Sequence, residues 1–287
     1  MRHARKLFVL VTMLITIAAL DVSPASATST VQIGSYVAIG DSYSAGFGIP
    51  WTGYAGGCYR SNHDYPSILA YGLKPTTFHD VTCSGAKPSN TLTAQHAAVA
   101  PQFDALDADT GLVTVGLGAN EGGMFGGLVS ACPALRYRNL AGHPCEDAAQ
   151  TASGDAFYAL ADAAGESVRT VLEGIHERAP HARVVVVGYP RLAPDTGTCA
   201  ALPLAAGDYA YVNSVIHRLD DDLAATAQAE QADCIDMWSA SRGHDICSRS
   251  PWVQGSVDAN HLAGRYHPFV TEQWAVAIRV ARLLADG

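Results

Sequence analysis

The chain has 287 residues, 48% of them hydrophobic, and a mean hydropathy of +0.09. That is enough apolar material for a sizeable core, and it excludes disorder of the whole chain. A formal net charge of −9 at pH 7 disfavours nucleic acid as a partner and leaves no polybasic patch for anionic lipid.

In chain order, Arg2, Arg5 and Lys6 precede an apolar run from Leu7 to Leu20, and Ala25-Ser26-Ala27 follows as a small-residue cleavage site. The pattern predicts a secretory signal over residues 1–27 and a mature start near Thr28. The apolar run is short of the ~20 residues a bilayer span needs, so stable membrane insertion is not expected. Losing residues 1–27 removes three positive charges and one negative, which takes the net charge from −9 to −11. Residues 28–287 contain no internal repeat, low-complexity tract or Pro/Ser-rich linker, and read as one domain.

Apolar strand candidates alternate with helical patterns through that domain. The strands are Tyr36–Gly40, Thr77–Val81, Leu112–Leu117, Arg183–Gly188 and Cys234–Met237. Consecutive branched residues suit strands buried on both faces, as in a parallel sheet. Helices are predicted over Pro66–Leu73, Asp155–Arg178, Gly207–Gln231 and Thr271–Leu284. The third carries Tyr211, Val215, Leu219 and Leu223 at four-residue steps, and the last carries Trp274, Ile278 and Leu283 near one face. This alternation predicts a three-layer α/β/α sandwich around a mostly parallel five-stranded sheet. Ligands of such sheets sit beyond the carboxyl ends of the strands, so the loops after Gly40, Val81 and Leu117 should converge.

Those loops read Gly40-Asp41-Ser42-Tyr43-Ser44, Cys83-Ser84-Gly85-Ala86 and Gly118-Ala119-Asn120-Glu121. A serine on a tight strand-to-helix turn exposes its hydroxyl and its own N–H. A glycine lets the backbone approach a substrate, and an asparagine amide adds a further donor. Serine is a weak nucleophile that needs a base, and His267-Pro268 stands directly before the last helix.

Together these blocks resemble the SGNH (GDSL-like) hydrolase family, most closely its secreted, disulfide-bonded actinomycete lipases and esterases. Gly40–Gly46 is similar to that group's nucleophile block, and Tyr189-Pro190-Arg191-Leu192 to another of its recurring segments. The resemblance implies the SGNH fold, Ser42 as nucleophile, His267 as general base and then acid, and Ser42, Gly85 and Asn120 as the oxyanion hole. It implies an ester or lipid substrate, a monomer, and no metal or organic cofactor. It also implies the disulfides Cys58–Cys83, Cys132–Cys145 and Cys199–Cys247, with Cys234 free. Cys234 already stands apart on sequence, being on a strand-like piece in a chain of seven cysteines. The cysteines show no CxxC pair, which argues against zinc.

Two departures matter. The third block usually ends in aspartate, but here Glu121 follows Asn120. The family's last block is often DxxH, yet Gly264 stands three residues before His267. The expectation is a Ser42–His267 dyad whose imidazole is oriented by the Gly264 backbone carbonyl. Asp258 and His261 form a competing DxxH pair. Within the resemblance the substrate is a fatty-acyl ester, with phospholipid as a further one. An acetyl ester of polysaccharide is the enzymatic alternative, and a non-catalytic binding protein the alternative of another class. Trp51, Tyr54 and Tyr59 either line an acyl pocket or pack the nucleophile loop, and Gly122–Gly127 is read as a flexible apolar rim.

Overall fold

The computed structural model describes residues 33–257 and 262–286. The export-signal reading at 1–27 and the Asp258/His261 pair lie outside the described residues. Among those described, five strands form one parallel sheet: β1 (Ser35–Gly40), β2 (Thr77–Asp80), β3 (Leu112–Gly116), β4 (Arg183–Val187) and β5 (Asp233–Ile235), ordered β2-β1-β3-β4-β5. The chain runs outward from β1 to β2, then returns across β1 to begin β3. The sheet therefore changes direction between β1 and β3, which is where a doubly wound sheet opens its crevice. Gly40 and Gly116 pair at that point. A Cβ on Gly40 would stand 2.5 Å from the Ser44 hydroxyl, so a side chain there would displace the turn that follows.

Every residue of β1 and β3 is buried, as a sheet covered on both faces requires. Alternate side chains divide between two cores. Val37, Ile39, Val113, Val115, Val184 and Val186 join the core that includes α2 (Ala156–Arg178) and α3 (Asp208–Ala229). Tyr36, Ala38, Leu112, Val185 and Val187 join the one under α1 (Tyr65–Leu73) and α4 (Val270–Asp286). Asp64 caps α1 by accepting from Ser67 N, and Asp155 caps α2 by accepting from Phe157 N and Tyr158 N.

The last helix differs from its sequence reading. Its inward face is Val276, Ala277, Val280 and Leu284, while Trp274 and Ile278 are half-exposed on the outside. Smaller residues face the sheet because they let the helix pack close to it, in one core with Tyr36, Val185 and Ile235. The fifth strand ends at Ile235, and Met237 already belongs to a short helix capped by Asp236.

Three disulfides join Cys58–Cys83, Cys132–Cys145 and Cys199–Cys247, the pairing that the family resemblance implies. Cys234 is free on β5, and burial pushes its thiol up to about 12, which keeps it protonated and unreactive. Among the described residues no helix is long and apolar enough to cross a membrane.

Candidate active site

The three strand-end loops are bonded to one another. Asp41 N donates to Gly116 O at 2.9 Å, joining the first loop to the end of β3. Cys83 N donates to Gly40 O at 2.9 Å, joining the second loop to the first. The Asn120 amide donates to Ala86 O at 3.1 Å, joining the third to the second. The Cys58–Cys83 disulfide adds a covalent tie between the nucleophile segment and the second loop. Gly85 takes a φ of +80°, a left-handed conformation that explains glycine at the exposed tip of its turn. The Asn120 amide carries two hydrogens, and the bond to Ala86 uses one, leaving the other to donate.

Behind Ser42 lies a buried polar chain. Ala119 N donates to the Tyr189 hydroxyl at 3.2 Å, and that hydroxyl donates to Asp41 Oδ2 at 2.7 Å. Asp41 Oδ1 accepts from Tyr43 N at 2.9 Å. Burial pushes the Asp41 carboxyl up to about 6, while the Tyr189 hydroxyl and the backbone N–H groups of Tyr43 and Ser44 hold it down. Tyr189 itself is fixed through its N–H, which donates to Asp220 Oδ1 at 2.7 Å. On the other side of Gly40, the Gln102 amide brackets the strand end, donating to Gly40 O and accepting from Gly40 N at 3.0 Å each.

His267 Nε2 is 2.9 Å from Ser42 Oγ. Its other nitrogen, Nδ1, lies 2.8 Å from the carbonyl oxygen of Arg265. A carbonyl only accepts, so Nδ1 carries the proton and Nε2 presents a lone pair to the serine hydroxyl. The expected acceptor, Gly264 O, is occupied otherwise: it takes the His267 backbone N–H at 3.0 Å and closes a four-residue turn. In that turn Tyr266 holds φ at +61°, and it is the Arg265 carbonyl that meets the ring. Gly264 serves by lacking a side chain. Its N–H donates to Phe47 O at 3.0 Å, and a Cβ would collide with the Phe47 ring.

The turn is strapped on all sides. Tyr266 N donates to Gln254 O at 3.1 Å, Gln254 N to His267 O at 2.9 Å, and the Tyr43 hydroxyl to Tyr266 O at 2.7 Å. Such bonds hold a non-glycine residue in a conformation that costs about 1–2 kcal/mol. The rings of Phe47, Tyr43 and Phe125 surround the imidazole at centroid distances of 4.9, 5.5 and 5.7 Å. Burial among them pushes His267 down to about 4, against the upward pull of its bond to Arg265 O. In the Gly122–Gly127 segment Met124 and Phe125 are buried, and Gly122, Gly123 and Gly126 are exposed. A cavity of about 410 Å³ opens beside His267 between Phe125, Val129, Ser130, Ser256 and Arg265.

A hydroxyl bonded to a neutral, oriented imidazole, next to backbone and amide donors, is the apparatus of acyl transfer. Residues 38–268 match the model of the GDSL-like lipase/acylhydrolase family. The chain belongs to that family. It is 36% identical to Lipase 2 of Streptomyces coelicolor over 249 residues, covering 84% of this chain and 81% of the relative. It is 31% identical to a lipase of Streptomyces rimosus over 280 residues, covering 95% and 96% of the two chains. Among solved structures, phospholipase A1 from Streptomyces albidoflavus superimposes with a TM-score of 0.70 at 29% identity, covering 87% of this chain and 99% of that one.

Sequence reasoning missed Arg265, whose contribution is a main-chain oxygen, and Gln102, an amide in a loop without a motif. The hydroxyl of Tyr189 was within reach of it, since the Tyr189–Leu192 segment stood out. Among the described residues no three or more His, Cys, Asp or Glu gather to hold a metal ion.

Proposed function

We propose that this ester hydrolase is a secreted lipase or carboxylesterase that cleaves fatty-acyl esters, phospholipids among them, through an acyl-Ser42 intermediate. One observation carries the reading: Ser42 Oγ lies 2.9 Å from an imidazole whose far nitrogen is locked on a carbonyl. As Ser42 Oγ attacks the ester carbonyl, His267 Nε2 takes its proton. The N–H groups of Ser42 and Gly85 and the free Asn120 amide hydrogen hold the oxyanion, each such donor contributing about 2.7–4 kcal/mol in the transition state. His267 then protonates the leaving alcohol, and next activates water to release the acid. The Arg265 carbonyl fixes the tautomer but lacks the negative charge of a carboxylate, so it stabilises the imidazolium less than an aspartate does.

The cavity beside His267, with Phe125 and Val129 in its lining, and similar proteins that include a phospholipase A1 and an extracellular lipase, support a long-chain or phospholipid substrate. Three disulfides and the basic-then-apolar leader support export, since such bonds persist in oxidising compartments. The net negative charge supports a protein that acts as a monomer, with no nucleic-acid partner. A fluorophosphonate probe with a p-nitrophenyl ester series tests the reading. Wild type should be labelled, Ser42→Ala should not, and hydrolysis should extend well beyond acetyl. An unlabelled wild type, or activity confined to acetyl esters, overturns it.

A further inference from the structure

The segment between the nucleophile and α1 has an unusual composition for this chain. None of the 27 carboxylates falls between Ser42 and His63, and the one cation there, Arg60, is turned inward to donate to Thr82 O at 3.0 Å. The same segment displays aromatic side chains to solvent. Trp51 is 72% exposed, Tyr54 69% and Tyr59 42%. Leu262, two residues from the Gly264–Phe47 hydrogen bond, is 48% exposed as well. Large apolar side chains gathered at one place on a soluble protein mark a binding surface.

Tyr54 and Tyr59 run continuously into the site, and Trp51 stands three residues from Tyr54 with its ring 6.3 Å from that of His63. The His267 ring packs on Phe47, Phe47 meets Tyr59 edge-on at 5.8 Å, and Tyr59 meets Tyr54 edge-on at 5.6 Å. The backbone that displays them is held in shape. Trp51, Ala55 and Tyr59 all take φ between +45° and +67°, the Cys58–Cys83 disulfide anchors the segment, and Thr52 pairs with Ser61 across it. Residues held in left-handed conformations cluster where a surface is shaped for use. Trp and Tyr settle at apolar–water boundaries, their rings in the apolar phase and their polar edges wet.

We infer that the Trp51–Tyr59 segment docks the enzyme on a neutral, zwitterionic lipid surface and brings the Ser42–His267 cleft against it. The absence of carboxylates suits this occupant, and the chain's net negative charge repels anionic lipid. The inference deepens the proposed function by naming the physical state of the substrate, and it rests on that reading. Its partition measurement uses a protein that cannot turn over, so the two can fail separately.

The experiment sediments the Ser42→Ala protein with sucrose-loaded phosphatidylcholine vesicles. Adding Trp51→Ser and Tyr54→Ser should weaken partition on the order of tenfold, the loss of two aromatic contacts. Trp51→Phe with Tyr54→Phe should retain it, and replacing half the lipid with phosphatidylglycerol should weaken it. In the active enzyme the two serine substitutions should leave kcat/KM on a soluble short-chain ester unchanged. Equal partition of the serine variant and its parent overturns the inference. So does an equal loss on the soluble ester, which would make the segment part of the acyl pocket. So does a dimer that the serine substitutions dissolve, which would make its partner a second copy.

Discussion

Two regions meet at the Ser42 hydroxyl, and they are built on different principles. The nucleophile side is sheet architecture. Gly40 and Gly116 pair at the crossover, Asp41 is fixed on Gly116 O, and the Tyr189 hydroxyl reaches Asp41 from the end of β4, on the far side of β3. The imidazole side is a surface turn outside any strand, placed by main-chain hydrogen bonds and ring packing. Side chains positioned by a strand end announce themselves in sequence as an apolar run followed by a small-residue turn. Main-chain acceptors positioned by a turn leave no residue type to read.

The sharpest way to break this comparison is at the histidine. His267→Ala should lower kcat/KM by about 10³–10⁶, the range seen when a serine hydrolase loses its base. His261→Ala should stay within a few-fold of wild type, and the reverse result would move the base to the competing pair. The pH profile adds a sign. Only neutral imidazole accepts the serine proton, and burial sets His267 at about 4. Activity should therefore persist as pH falls through 6 and 5 and be lost only near 4; loss centred on about 6.5 would mean an ordinary, solvated histidine.

Asn120→Ala comes next on the nucleophile side. Loss of one oxyanion donor should cost about 10²–10³ in kcat with little change in KM. A normal kcat with a lower melting temperature would reduce Asn120 to a tie between loops, through its bond to Ala86 O.

The imidazole side is sharpened by Gly264→Ala. Alanine keeps the carbonyl, so a residue needed only for that oxygen would tolerate the change. The structure instead places Gly264 against Phe47, where a methyl collides with the ring. The variant should lose on the order of 1–3 kcal/mol of stability, with a fall in kcat as the turn shifts. Phe47→Leu in the same protein should restore part of both.

This contrast is also what was and was not legible in the sequence. The five strands, the burial of the central ones and the order of the loops followed from apolar runs and periodicity, and Ser42 and His267 from turn chemistry beside a known family pattern; the edge strand β2 is half exposed instead of buried on both faces. The carbonyl on Nδ1 did not follow, because counting back from the ring gives Gly264 by analogy with DxxH, and only the φ of Tyr266 selects Arg265. The inward face of α4 did not follow either. Hydrophobicity alone ranks Trp274 and Ile278 above Val276 and Ala277, whereas close packing on the sheet favours the smaller pair.

The smallest expected effect tests the junction of the two regions, where the first turn of α4 lies against the nucleophile loop. Gln273 donates there to Tyr43 O at 2.9 Å and to Glu272 Oε2 at 2.8 Å. Burial pushes the Glu272 carboxyl up from 4.5 to about 8, while Gln273 and Arg279 pull it down. Below pH 4.5 the group is protonated in both folded and unfolded chains and costs nothing. Between there and about 8 the unfolded chain releases the proton while the folded one keeps it, so stability is lost as pH rises through this window. Glu272→Gln is a neutral replacement of the same shape and removes that dependence. The variant and wild type should unfold at the same denaturant concentration near pH 4. Near pH 8 the variant should be more stable, on the order of 1–3 kcal/mol. Asp41, raised to about 6, drives a dependence of the same sign, but it is common to both proteins and cancels from the difference. A variant equally or less stable at pH 8 would mean that Glu272 is ionised in the folded chain and that its charge helps hold α4 to the nucleophile loop.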